Sequence, residues 1–120
     1  MEWTYTDLME WDDSSNNVPN IDKLDISDKN LTKLPLKIFK LTSLRTFYCN
    51  NNQLTKLPKE LGRLTSLNVL YCSDNKLAEL PKEIGQLTSL YKLYCSNNKL
   101  TKLPKEIDND IINEWVKHIG

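Results

Sequence analysis

Three cysteines, Cys49, Cys72 and Cys95, stand 23 residues apart and are the first candidates for chemistry. A thiolate serves as a nucleophile or a soft metal ligand. Zinc-type ligand sets place Cys about two to four residues apart, with His or further Cys nearby. Neither feature is present, and the single histidine, His118, falls near the C-terminus in a stretch that reads as helical. There it reads as a solvated or helix-end imidazole, favourable to the helix dipole when protonated. A disulfide between neighbouring units is conceivable on distance but needs its own geometry and leaves one thiol over. Small buried hydrophobes are the stronger reading of all three. Asp12 and Asp13 pair two carboxylates in a polar loop rather than a cleft, and Gly62 and Gly85 read as turn residues. No catalytic residue, metal or cofactor is expected, and an enzyme is disfavoured.

A second set of side chains shares the same interval. Tyr48, Tyr71 and Tyr94 each precede one of the cysteines. A tyrosine combines apolar area with a polar tip, which suits it to interfaces. Whether three of them form one surface depends on the elements that carry them.

Those elements come from a repeat, which governs every other reading. Leu-Thr-Ser at 41–43 recurs at 64–66 and 87–89, and Leu-Pro occurs at 34–35, 57–58, 80–81 and 103–104, always at intervals of 23. Four units follow, at 20–42, 43–65, 66–88 and 89–111. Each has recurrent apolar places, exemplified by Leu24/Phe47/Leu70/Leu93 and Ile26/Cys49/Cys72/Cys95. The seventh apolar place, Leu41/Leu64/Leu87, ends at Asp110. The alternation around the first two sets is that of a strand. The Leu-Pro stretch that follows suits a tight turn or short 3₁₀ segment, because proline is not tolerated in a central strand. One such unit cannot bury its own apolar edge; four stacked units can share a core, each adding one short parallel strand.

Residues 1–19 lie outside the repeat and form an N-terminal cap, with a short helix over 4–11 and a polar loop from Asp12 to Asn17. At the other end, Asp108 or Asp110 can N-cap a helix. It occupies about 109–119 within a C-terminal capping segment, 108–120, that overlaps the last unit. Ile111, Ile112, Trp115, Val116 and Ile119 give that helix one apolar face, expected over Leu90, Leu93 and Leu103.

The formal net charge of zero hides a segregation. Residues 1–28 carry eight acids and one Lys, residues 29–105 fourteen Lys or Arg against four acids, and residues 106–120 four acids and one Lys. Lys33, Lys56, Lys59, Lys82, Lys102 and Lys105 fall on the turn and convex parts of the units. A solvated surface is the favoured reading, since Glu60, Glu83 and Glu106 alternate with these lysines and no aromatic side chain is interleaved to stack bases. No apolar run approaches the roughly 20 residues of a membrane span. The acidic N-terminus lacks the basic start and apolar stretch of a signal peptide. An intracellular location is therefore expected, cytoplasmic or, for a viral protein, in the host cytoplasm.

The stretch 66–88, SLNVLYCSDNKLAELPKEIGQLT, carries the pattern Leu-x-x-Leu-x-Cys-x-x-Asn-x-Leu-x-x-Leu-Pro. This resembles the leucine-rich repeat family over about 20–111. The Leu-Pro and the 23-residue unit look like its intracellular subclass, found in Ras-pathway scaffolds, plant Ras-group proteins and bacteria. Tyr-Cys in the strand, with abundant Lys and Asn, is similar to repeat proteins of giant viruses. The resemblance implies an α/β fold: a short right-handed solenoid with a parallel β-sheet on its concave face and 3₁₀ or turn segments on its convex face. It also implies that Asn52, Asn75 and Asn98 turn inward to bond the backbone of neighbouring units. Unit one departs from this, with Lys29 at that place and Asn30 beside it, so the ladder is expected to begin at unit two.

With Leu24 and Ile26 and their equivalents inward, the intervening places face outward. They read Lys23, Thr46, Val69, Lys92; then Asp25, Tyr48, Tyr71, Tyr94; then Ser27, Asn50, Ser73, Ser96. Strand spacing near 4.8 Å makes the tyrosines a stacked stripe, widened by Tyr91. The expected function is a non-catalytic module that binds an unidentified protein through this stripe. Alternatives are a self-associating homodimer and a weak binder of nucleic acid or another anionic surface through the convex lysines; nucleic acid is disfavoured.

Overall fold

The computed structural model describes residues 1–107. The C-terminal helix expected over 108–120, and with it His118, lies outside the described residues.

Short alternating segments give short strands. Lys23–Asp25 (β2), Thr46–Tyr48 (β3), Val69–Tyr71 (β4) and Lys92–Tyr94 (β5) each bury their middle residue, Leu24, Phe47, Leu70 or Leu93. All pair in parallel and in register, Lys23 with Thr46, Thr46 with Val69 and Val69 with Lys92. A fifth strand precedes them. Glu2–Thr4 (β1) pairs with β2, aligning Glu2 with Lys23 and Trp3 with Leu24, so the sheet order is β1-β2-β3-β4-β5.

Thr4 ends β1 and starts the helix Tyr5–Glu10 (α1) through a capping box. The Asp7 amide donates to Thr4 Oγ1 at 3.3 Å, and Asp7 Oδ2 accepts from the Thr4 amide at 2.9 Å. Such a box satisfies two amides that a short helix otherwise leaves open. Leu8 anchors α1 in the core, while the Trp3 and Trp11 rings meet edge-on at 5.9 Å. Lys37 Nζ ties the following loop down by donating to the Met9 and Trp11 carbonyls.

After each of β2, β3 and β4 the chain crosses the core and reaches a Leu-Pro pair. Pro35, Pro58 and Pro81 hold φ of −60°, −74° and −68° and lead into the 3₁₀ segments Leu36–Lys40, Lys59–Arg63 and Lys82–Gln86. Proline presets this φ and has no amide to leave unpaired at a helix start. Ile38, Leu61 and Ile84 point from these segments into the core, which runs without a break from Leu8 to Ile107. Phe39 is buried at the place that Gly62 and Gly85 hold in the next two units. The aromatic ring fills space after the first turn, whereas the glycines let later turns close up. A Cβ on Gly85 would stand 2.7 Å from the Glu106 backbone oxygen.

Candidate binding face

The ladder that fixes strand spacing is made by asparagines. Asn52 Oδ1 accepts the Lys29 and Leu31 amides at 3.0 and 3.1 Å, and its Nδ2 donates to the Ile26 and Cys49 carbonyls. Asn75 repeats this one unit on, accepting from Leu54 and donating to Cys49 and Cys72. Asn98 accepts from Leu77 and donates to Cys72 and Cys95. In unit one, Lys29 offers only its backbone to this network. Buried backbone groups need such partners.

The turn that leads into the ladder uses a second polar column, Asp28, Asn51, Asp74 and Asn97, with φ between 54° and 58°. Asn and Asp adopt this left-handed conformation more readily than other non-glycine residues. The signal was present in the sequence as Asx residues at one interval, each directly before the ladder place. It positions the site without forming part of it.

Cys49, Cys72 and Cys95 are free thiols, buried side by side beneath the sheet. Burial pushes Cys49 and Cys95 up to about 12, and pushes Cys72 well above its ordinary value, with its two neighbouring thiols adding to the shift. Burial thus favours the neutral thiol form of all three at neutral pH. Among the described residues no group of three or more His, Cys, Asp or Glu side chains is arranged to hold a metal ion.

On the opposite surface of the sheet the register aligns Tyr48, Tyr71 and Tyr94. Their rings stack at centroid distances of 4.4 and 4.7 Å, with planes within 9° and 7° of parallel. Each ring is half-buried, and the stack covers both faces of Tyr71, so edges and hydroxyls are what the centre of the stripe presents. Desolvation raises the Tyr48 phenol above its ordinary value, and Tyr71, Glu2 and Asp25 add to this. Thr46 and Val69 flank the stripe half-buried, with Lys92 exposed at its end. Along the other flank, Ser96 donates to Ser73 at 3.1 Å and Ser27 to Asp25 at 2.6 Å. Asn50 stands between them with its buried Oδ1 unpartnered among the described residues. Tyr91 is not brought to the stripe. It precedes β5 in the column of Asp22, Arg45 and Asn68, 61% exposed, and does not stack on Tyr94.

The parallel sheet, the asparagine ladder and the 3₁₀ turns coincide with a family model for a leucine-rich repeat region that matches residues 24–109. The chain belongs to the leucine-rich repeat family. Among solved structures, this leucine-rich repeat chain is similar to one such protein of Leptospira interrogans, at 44% identity and a TM-score of 0.68, over 72% of this chain and 22% of that one. An internalin of Listeria monocytogenes matches with a TM-score of 0.63 over 76% of this chain and 27% of its own; at 24% identity it shows the fold alone. The leucine-rich repeat chain thus spans about a quarter of the length of either structure. No curated protein gives a significant match. Among the described residues no helix is long and apolar enough to cross a membrane.

Proposed function

We propose that this leucine-rich repeat chain is a non-catalytic protein-binding module whose partner seats on the outer, concave face of the sheet. The observation that carries the reading is the stack of Tyr48, Tyr71 and Tyr94, three pre-ordered rings whose side-chain entropy is already spent before a partner arrives. Thr46, Val69, Lys92, Asn50, Ser73 and Ser96 form the rim, and Tyr91 stands outside it in the column that precedes the strands. The 23-residue Leu-Pro unit favours the intracellular subclass of the family. The repeat boundaries remain 20–42, 43–65, 66–88 and 89–111, with residues 1–19 as the N-terminal cap.

The test is affinity capture with the wild-type chain against the Tyr48/Tyr71/Tyr94 triple Ala variant, each checked for fold by circular dichroism. A protein held by the wild type and lost by the folded variant supports the reading; one held equally by both overturns it. Light scattering of the free chain separates the homodimer alternative, in which the same triple substitution turns a dimer into a monomer.

A further inference from the structure

The tyrosine stack has two unlike ends. Register sets Asp25 beside Tyr48, just as it sets Tyr48 beside Tyr71 and Tyr71 beside Tyr94. Where a fourth ring would continue the stack there is a carboxylate, smaller than the ring it faces. The side of Tyr48 turned away from Tyr71 therefore has no aromatic cover. Asp25 is held in place: its Oδ1 accepts the Ser27 amide at 2.9 Å and the Ser27 hydroxyl at 2.6 Å, while its Oδ2 accepts no hydrogen bond among the described residues. Glu2 comes to the same corner from β1, whose Thr4 is aligned with Asp25. It is exposed and belongs to neither ion pair of the described residues, Met1 with Asp22 and Lys40 with Asp13. Both carboxylates act on the ring, since behind desolvation and Tyr71 they are what raises the Tyr48 phenol. The nearby lysines do not offset them there. Lys23 instead adds to the N-terminal ammonium in lowering the Asp22 carboxyl. Lys29 shares a separate depression with Asp28 and Asp25, to which Tyr48 does not contribute.

We propose that the partner brings a basic side chain, lysine or arginine, to this end of the stripe, seated over the open face of Tyr48 with its charge between Asp25 and Glu2. This rests on the concave face being the protein-binding surface, and it adds which chemistry the partner carries and where. A cation within about 6 Å of a ring centroid is attracted to the ring face, and a carboxylate oxygen with no other donor adds a charge-assisted hydrogen bond. Asp25 is already ordered by Ser27, so little side-chain freedom is lost when the cation arrives. The other end of the stripe repels such a group, because Lys92 stands two residues before Tyr94 on the same face of β5. The face thus has a polarity, and the partner's basic group belongs at Tyr48.

The probes are random peptides displayed on phage, selected on the immobilised full chain and then synthesised. Binding peptides are expected to share a lysine or arginine whose exchange for a neutral residue of similar length weakens binding about tenfold, the loss of one charge-assisted contact. Asp25→Asn, whose Oδ1 still accepts from Ser27, costs about the same. Combining it with the peptide exchange costs little more, since both remove one contact. Asp74→Asn, an equal loss of charge away from the stripe, leaves binding unchanged. Without any peptide, Asp25→Asn and Glu2→Gln each lower the Tyr48 phenol, read by NMR titration of isotope-labelled tyrosine. Peptides that need the three tyrosines but bind equally well without a basic residue, or to Asp25→Asn, overturn this inference and leave the binding face standing. A selection that yields no binding peptide overturns it as well. Peptides indifferent to the Tyr48/Tyr71/Tyr94 triple Ala variant overturn both readings.

Discussion

The Asn75 side-chain oxygen accepts the Leu54 amide at 3.0 Å, joining residues 21 apart in the chain through a buried amide. The same amide nitrogen answers the Cys49 and Cys72 carbonyls, so one side chain holds two consecutive units at a fixed spacing. Asn75→Ala leaves one amide and two carbonyls without these bonds. The expected cost is about 3 kcal/mol, read as a lower urea midpoint at unchanged slope. Asn75→Asp keeps the shape but gives up both donated bonds and buries a charge, and is expected to be worse. A midpoint within experimental scatter of wild type for Asn75→Ala would remove the ladder from the account of stability.

The tyrosine stack makes a prediction that does not require a partner. Tyr71 has a ring on both sides, whereas Tyr94 stacks on one described neighbour. A double-mutant cycle between Tyr48 and Tyr71 should give a coupling of about 0.5–1.5 kcal/mol, and Tyr71→Ala should destabilise more than Tyr94→Ala. Zero coupling in urea unfolding would mean that the rings are neighbours without being partners.

Two glycines separate by what their missing Cβ would touch. At Gly62 the tightest contact is the Gln86 Oε1 at 2.4 Å, the end of a flexible side chain that can swing away. At Gly85 it is the Glu106 Cβ and backbone oxygen, both at 2.7 Å, which move only with the chain. Gly85→Ala is expected to cost about 1–3 kcal/mol and Gly62→Ala less than about 1 kcal/mol. Equal midpoint shifts in thermal or urea unfolding would contradict this.

Stability should fall on the alkaline side for a reason located in the cysteines. In the unfolded chain the thiols ionise near their ordinary value of 9.0, whereas Cys49 and Cys95 in the fold do so at about 12. Between these values the unfolded state has lost protons that the native state retains, so unfolding is favoured as pH rises. Stability is full below about pH 9 and declines by up to about 1.4 kcal/mol per thiol per pH unit above it. Urea midpoints at about pH 8 and about pH 10.5 measure the decline, and replacing all three cysteines by Ala should flatten it. The raised Tyr48 phenol acts in the same direction and survives that replacement.

Much of this architecture is legible from spacing. The interval of 23 residues places Leu24, Phe47, Leu70 and Leu93 in one buried column and the tyrosines in one outward column, because a strand alternates its side chains. The 3₁₀ turns after Leu-Pro follow from proline's fixed φ. By contrast β1 was not legible as a strand. Its register with β2 is offset by 21 residues rather than 23, and Trp3 stands where the repeat has leucine. Nor was Phe39 legible as the partner of the glycine places, since its role is to fill a gap that exists only between stacked turns. Tyr91 shows the opposite error: three residues from Tyr94 looked adjacent, but the position precedes the strand and falls in another column.

Periodicity by itself therefore determined which residues recur, which alternate and which are apolar, and hence a stacked array with a buried thiol column and an outward tyrosine column. These are local properties, set by the chain's own geometry within each unit. Only the tertiary structure decided how units meet: that tyrosine rings lie face to face, that Asn75 reaches two neighbouring carbonyls, and that Phe39 fills the place later units leave to glycine. Such outcomes depend on distances of a few ångströms between residues more than 20 apart in sequence, and chain order alone carries no information about them until the units pack.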